Sequence, residues 1–466
     1  MLTYDVRIYS IETRTGRPKP YRVRWLVGSG PHARKHSKSY RLKPQADGRR
    51  SELMEALRRG EQFDTEQGLP ASELRAREAK EKAVTWYEHT CAFIEKKWTD
   101  APGKSRRNFA DALASITPAM VNTNVKRPDP RVLRRALYSW AYNKKRWEGE
   151  EEPPRQWAEA LAWLEKHSVL VSDFEDPKTV RKALEALSRK LDGGKAAART
   201  AKRRRACLSD ALGVAVEAGY FTIPVNPIGA VKWTPPKTAE EVDPDSVANP
   251  RQVRRLLTAV REQGERGERL EAFFGCLYYA AMRPAEAINL KRSQCHLPDK
   301  GWGTLKLRKG VVYPGRDWTD DGASHEERGL KARAEDDTRP VPIPPTFVRL
   351  LRAHLDEHGT APDGRLFRTN RNGLLQDTGY GEVWARARGA ALSEEEAASP
   401  LARRPYDLRH AGVSLWLSSG VDPAECARRA GHSLNVLFRV YAKVLAQAQD
   451  QANSRIEAAM KEWGEE

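Results

Sequence analysis

No window of the sequence approaches 18 consecutive apolar residues, and the opening "MLTYDVRIYS" is not followed by an apolar core. A bilayer span needs about 20 apolar residues in a row and a secretory leader needs its hydrophobic segment, so neither is expected. Cysteine is scarce: five residues, at 91, 207, 276, 295 and 426, odd in number and without a CxxC pair. Such scattered thiols argue against a disulfide framework or a zinc finger and fit a reducing cytoplasm. There is no repeat at a solenoid period. A GxxxxGK[ST] phosphate loop, an HExxH zinc motif and a carboxylate triad are all missing, so no metal and no cofactor is expected.

What the chain has in excess is positive charge. Lys plus Arg number 81 against 63 Asp plus Glu, a formal net charge of +18. Each cation that meets a phosphate releases a condensed counterion, so this balance favours a polyanionic partner, nucleic acid first. With 466 residues, 39% hydrophobic and 31% charged, the chain reads as a globular protein of several domains.

The organisation is α+β and multidomain. Residues 1–70 alternate apolar and polar side chains in "YDVRIYSI", "YRVRWLV" and "SKSYRL", and "ADGRRSELMEALRRG" follows as a helix. This predicts a small three-stranded β-sheet plus one helix. Arg22 and Arg24, interleaved with Tyr21 and Trp25, are candidate DNA contacts on that sheet. Residues 72–234 read as helical throughout. Within them "GGKAAARTAKRRR" leads straight into an apolar helix, which makes Lys195, Arg199, Lys202, Arg203 and Arg204 candidate phosphate contacts, though such a run is often plain solvated surface. The proline-rich stretch 235–247 is a linker. Asn249 and Pro250 form an N-cap and first-turn pair that opens a third, mainly α domain with a small β-sheet, 248–466.

That last domain holds the residues with chemistry. "YYAAMRPAEAINL" breaks at Arg283-Pro284, with Glu286 close enough to orient the guanidinium. "RPYDLRHAG" carries Tyr406, Arg409 and His410 at a helix start. In "AGHSLNVLFRVYAKV", Gly431 ends a short helix, His432 follows at the turn and Tyr441 comes nine residues later. Taken singly, His432 is an ordinary turn histidine and Tyr441 a half-buried helix tyrosine. Taken together with a lysine before "TRPVPIP", the set suits phosphodiester transfer without a metal. Arg offers paired donors to non-bridging oxygens. Tyr is a covalent nucleophile once deprotonated, and at a pKa of about 10 only about 0.1% is ionised at neutral pH, so it needs His432 or the Arg pair nearby.

These residues resemble the motifs of the tyrosine recombinases, the integrases of phages and other mobile elements, over nearly the whole chain. The first motif of that family is matched by Arg283 and Glu286. The His-x-x-Arg motif is matched by Arg409 and His410, with Tyr406 at the usual His. The Gly-His motif with its nucleophile is matched by Gly431, His432 and Tyr441. The resemblance implies a hairpin lysine as the acid for the leaving oxygen: Lys331 ahead of the R-x-V-P strand, with Lys306 and Lys309 as alternatives because "VVYPGRDWTDDGASHEERG" lengthens the hairpin. It also implies an arm-type DNA-binding domain at 1–70, a core-binding domain at 72–234 and a catalytic domain at 248–466. The expected activity is site-specific DNA recombination through a 3′-phosphotyrosine link and a Holliday junction. Expected partners are double-stranded attachment sites, three further copies of the chain in a tetramer, a DNA-bending protein and an excisionase, with no membrane. A type IB topoisomerase carries a similar residue set, and a silent DNA-binding regulator would share the basic surfaces.

Overall fold

The computed structural model describes residues 2–81, 84–122, 126–149, 152–235, 241–330, 337–447 and 449–462. The chain divides into two compact units, Met1–Lys237 and Thr238–Glu466.

The first unit opens with a sheet centred on Tyr21–Val27, antiparallel to Arg34–Tyr40 on one edge. The other edge is not one strand but two, Val6–Ile8 and Glu12–Thr13, so the sheet has four strands where three were expected. The register gives the reason. Ile8 pairs with Trp25 and Glu12 with Arg22, so three residues, 9–11, oppose two, 23–24. One extra residue makes a bulge, and the strand splits. Val23, Trp25 and Val27 point into a core with Leu53 and Ala56 of the helix Lys43–Arg58. The indole N–H of Trp25 donates to Gly68 O at 2.6 Å and ties down the segment beyond that helix.

The rest of this unit is helical, with principal helices Trp86–Asp100, Gly103–Ile116, Arg155–His167, Pro177–Leu187 and Ala198–Glu217. Thr85 starts the first of them through a capping box: its side chain accepts from Glu88 N–H, and the Glu88 carboxylate accepts from Thr85 N–H. Phe93, Leu113, Leu164, Leu184 and Leu208 are among the buried apolar side chains.

The second unit packs Pro250–Arg261, Glu265–Tyr279, Pro345–His358, Asp377–Ala391 and Asp407–Ser418 around Phe273, Phe274, Phe347 and Trp384. Asn249 caps the first of these helices, accepting from Gln252 N–H at 2.9 Å. Gly412 allows close packing, because a Cβ there would collide with the Tyr278 carbonyl. A three-stranded antiparallel sheet runs in the order Arg339–Ile343, Gly303–Leu307, Cys295–His296. The polar region between its strands builds a hairpin of its own, Lys309–Val312 with Glu326–Gly329, which buries Trp318 and Thr319. Three helices close the unit: Pro423–Ala430, Leu434–Gln447 and Gln449–Glu462. Among the described residues no helix is long and apolar enough to cross a membrane.

Candidate active site

The helix Glu265–Tyr279 ends before a buried, strained turn in which Ala281 adopts φ 43°, a left-handed conformation unusual for a residue with a Cβ. Arg283 follows, and Pro284 at the first helical position starts Pro284–Ile288. Glu286 folds back over this start: Oε2 accepts from the Arg283 backbone N–H at 2.9 Å, and Oε1 accepts from Arg283 Nη1 at 2.8 Å. The other terminal nitrogen of Arg283 donates to Gly431 O at 3.0 Å. One guanidinium therefore joins the first motif to the Gly-His turn, 148 residues away in sequence.

Glu286 has a second partner that sequence reasoning did not single out. Arg339, 1% exposed, donates through Nη2 to Oε2 at 2.7 Å and through Nη1 to Oε1 at 3.1 Å. Burial pushes the Glu286 carboxyl up, but the charge and hydrogen bonds of Arg339, helped by Arg409 and Arg283, hold it down at about 2. Removing one member of such a buried pair typically costs about 3–5 kcal/mol. The signal for Arg339 lay in strand parity. Arg339, Val341 and Ile343 share one face of their strand, and all three are buried.

Arg409 is fully buried in the first turn of Asp407–Ser418. It donates to Ala281 O, to Ala430 O at 2.6 Å and to His432 Nε2 at 2.7 Å. Desolvation lowers its pKa, and the neighbouring Arg283 adds to that. Since guanidinium can only donate, Nε2 of His432 accepts and the ring proton sits on Nδ1. Desolvation, then repulsion from Arg409 and Arg283, drives the His432 pKa down to about 3, so the ring is neutral at pH 7. Arg409 Nε and His432 Nδ1 are buried without a hydrogen-bond partner among the described residues. Gly431 reaches φ 64° at the end of Pro423–Ala430, and a Cβ there would collide with Arg339 Nη1, so glycine is required twice over.

Tyr441 lies inside Leu434–Gln447 at a break in the helix, with φ −113° and ψ 21°. It is fully buried, and its hydroxyl is 3.0 Å from His410 Nδ1. Burial raises the phenol pKa further than Arg409 and Arg283 lower it. Desolvation takes His410 down to about 4. The Tyr406 ring stands 5.2 Å from that of His410, centroid to centroid, just ahead of the helix. Lys331 lies outside the described residues. Of the alternatives, Lys306 is exposed on Gly303–Leu307 and Lys309 is partly buried at the start of the inserted hairpin.

The candidate DNA contacts of the first unit fare unevenly. Arg22 donates to Ser37 at 2.7 Å, and Arg24 is exposed, 3.5 Å from Glu12. Lys195, Arg199 and Arg203 are exposed and Lys202 partly so, with Arg203 also paired to Asp111 at 2.9 Å. Arg204 turns inward instead, donating to Leu187 O and Arg189 O at 3.3 and 3.1 Å. In the second unit a cavity of about 770 Å³ is lined by Arg266, Arg269, Arg365, Arg368 and Arg371 and holds none of the residues around Tyr441.

Neither a family model nor a curated protein matches the sequence. Solved structures do. The chain is similar to the Tn1549 transposon integrase in complex with a circular intermediate DNA, at 14% identity over 64% of this chain and 93% of that one, with a TM-score of 0.45. It is similar to the XerH site-specific recombinase bound to its difH substrate, at 15% identity over 72% and 92%, TM-score 0.41. It is also similar to a lambda integrase dimer bound to a COC′ core site, at 14% identity over 91% of each chain, TM-score 0.43.

Proposed function

We propose that the protein is a site-specific DNA recombinase of a mobile element or phage, acting through Tyr441. One observation carries this: residues from separated motifs are paired across the fold, Arg283 with Gly431 O at 3.0 Å, Arg409 with His432 at 2.7 Å and His410 with Tyr441 at 3.0 Å. Two guanidiniums, a neutral imidazole on one of them and a phenol on a second imidazole suit in-line attack on a phosphodiester. The formal +18 charge and the arginine-lined cavity favour a polyanion.

In this reading Arg283 and Arg409 hold the non-bridging oxygens of the scissile phosphate. Tyr441 Oη attacks phosphorus, its proton passes to His410 Nδ1, and the bond to the 5′-oxygen breaks. That oxygen leaves as a 5′-hydroxyl after taking a proton from the hairpin lysine, for which Lys331 is the candidate. The 3′-phosphotyrosyl link keeps the bond energy, and a 5′-hydroxyl from a second duplex reverses the step, so that a Holliday junction forms and resolves. Residues 1–70 and 72–234 serve as arm-type and core-type DNA-binding regions, and 248–466 is catalytic. Four copies act on two duplexes. The exposed Ile456 and Met460 on Gln449–Glu462 offer an apolar contact for a neighbouring copy. Because Tyr441 is buried, attack requires its segment to move, and the helix break at Tyr441 itself supplies the hinge.

The test is covalent capture on a library of nicked duplexes randomised around the nick. Denaturant-stable linkage with the wild type and none with Tyr441→Phe is expected. Linkage with both moves the nucleophile elsewhere, and none with the wild type across the library overturns the proposal.

A further inference from the structure

We infer that Arg339 is a positioning residue for strand transfer: it locks the Glu286 carboxylate that aims Arg283 and fills the space beneath the Gly431–His432 turn. The inference rests on the strand-transfer reading and deepens it.

The first ground is the sharing of one carboxylate. Both Glu286 oxygens accept from Arg339, at 3.1 and 2.7 Å, and the same two oxygens hold the Arg283 backbone and side chain. Arg283 is about one-fifth exposed, whereas Arg339 and Glu286 are almost sealed off from water. An arginine facing solvent is thus aimed by an ion pair that solvent cannot reach. If Arg339 were lost, Glu286 would swing toward Arg283 alone or take up a proton. The first event re-aims the Arg283 side chain and the second loosens it, so either moves Arg283 from its present position.

The second ground is steric. Arg339 Nη1 lies where any Cβ at position 431 would fall. Gly431 O accepts from Arg283, and the next residue, His432, accepts from Arg409. Arg339 therefore packs under the turn that presents two of the site's contacts.

The third ground is charge. Three guanidiniums, Arg283, Arg339 and Arg409, act on the single carboxylate of Glu286. Arg339 gives both terminal nitrogens to the carboxylate, whereas Arg283 gives it one and Arg409 none, their other donors meeting neutral carbonyls and an imidazole.

The experiment compares Arg339→Met and Arg339→Lys with the wild type on the duplex captured by the wild-type protein. It measures single-turnover linkage per folded molecule and, separately, DNA affinity. Expected is a loss of linkage rate of about 100-fold in Arg339→Met, the scale of a mispositioned group, with affinity unchanged and part of the rate recovered in Arg339→Lys. Unchanged linkage rates in the folded variants would overturn the inference and leave Arg339 as a stabilising ion pair only. If Arg339→Met does not fold, Arg339→Lys and Arg339→Gln carry the comparison. A DNA-free arm separates this inference from the strand-transfer reading. The Arg283 Nε–H NMR signal of the full chain is expected to be ordered in the wild type and broadened or shifted in the variants. An unmoved signal counts against positioning even where the wild type links no DNA.

Discussion

The hydroxyl of Tyr441 is paired with His410 Nδ1 at 3.0 Å, while His432 is engaged by Arg409 through Nε2 at 2.7 Å. The two imidazoles therefore have different partners. In the proposed strand-transfer reading, His410 takes the phenolic proton and His432 braces Arg409. The buried phenol and a His410 pKa of about 4 both oppose proton transfer in the resting protein.

His410→Phe is expected to slow the covalent step by about 100-fold or more, the range of general-base assistance, with DNA affinity retained. Single-turnover linkage on a nicked duplex measures this, and a wild-type rate would remove His410 from proton transfer.

Arg409→Lys replaces a fork that meets two carbonyls and one imidazole with a single ammonium. Lost hydrogen bonds to a charged group cost about 1.5–3 kcal/mol each, so the urea midpoint should fall clearly and linkage should drop with it. A lysine variant as stable and as fast as the wild type would contradict the buried geometry.

Stability should decline as pH falls from about 6.5 toward 3, starting from the ordinary histidine pKa. His410 and His432 titrate at about 4 and about 3 when folded, and His354 at about 4, so the unfolded chain binds more protons throughout this window. Glu286, held at about 2, adds the same sign below the ordinary carboxylate range. Denaturation at a series of pH values should show this slope, and His432→Gln should flatten it. An unchanged slope would place the titration in other groups.

Tyr406→Phe removes one hydroxyl donor beside His410 without changing the ring. Loss of one such hydrogen bond, about 1 kcal/mol, corresponds to a rate decrease of about fivefold. Equal linkage rates for the two proteins would show that the Tyr406 hydroxyl does not act on the phosphate.

By itself the sequence determined the residue types and their local settings. Pro284 after Arg283, the glycine after "CARRA" and the Asn249-Pro250 pair are short-range signals, because a fixed φ, a left-handed turn and a side-chain cap are set by neighbours in the chain. The α+β class was legible in the same way, from periods of two and 3.6. Tertiary structure decided what no local pattern encodes. One extra residue opposite Val23 and Arg24 splits a strand only once its partner's register is known. The inward turn of Arg204 depends on carbonyls of another segment. The separate pairings of His410 with Tyr441 and His432 with Arg409, and the grip of Arg339 on Glu286, arise from packing that desolvates side chains from separate chain segments together. In that setting proximity, and not sequence spacing, fixes which group carries a proton and which carries a charge.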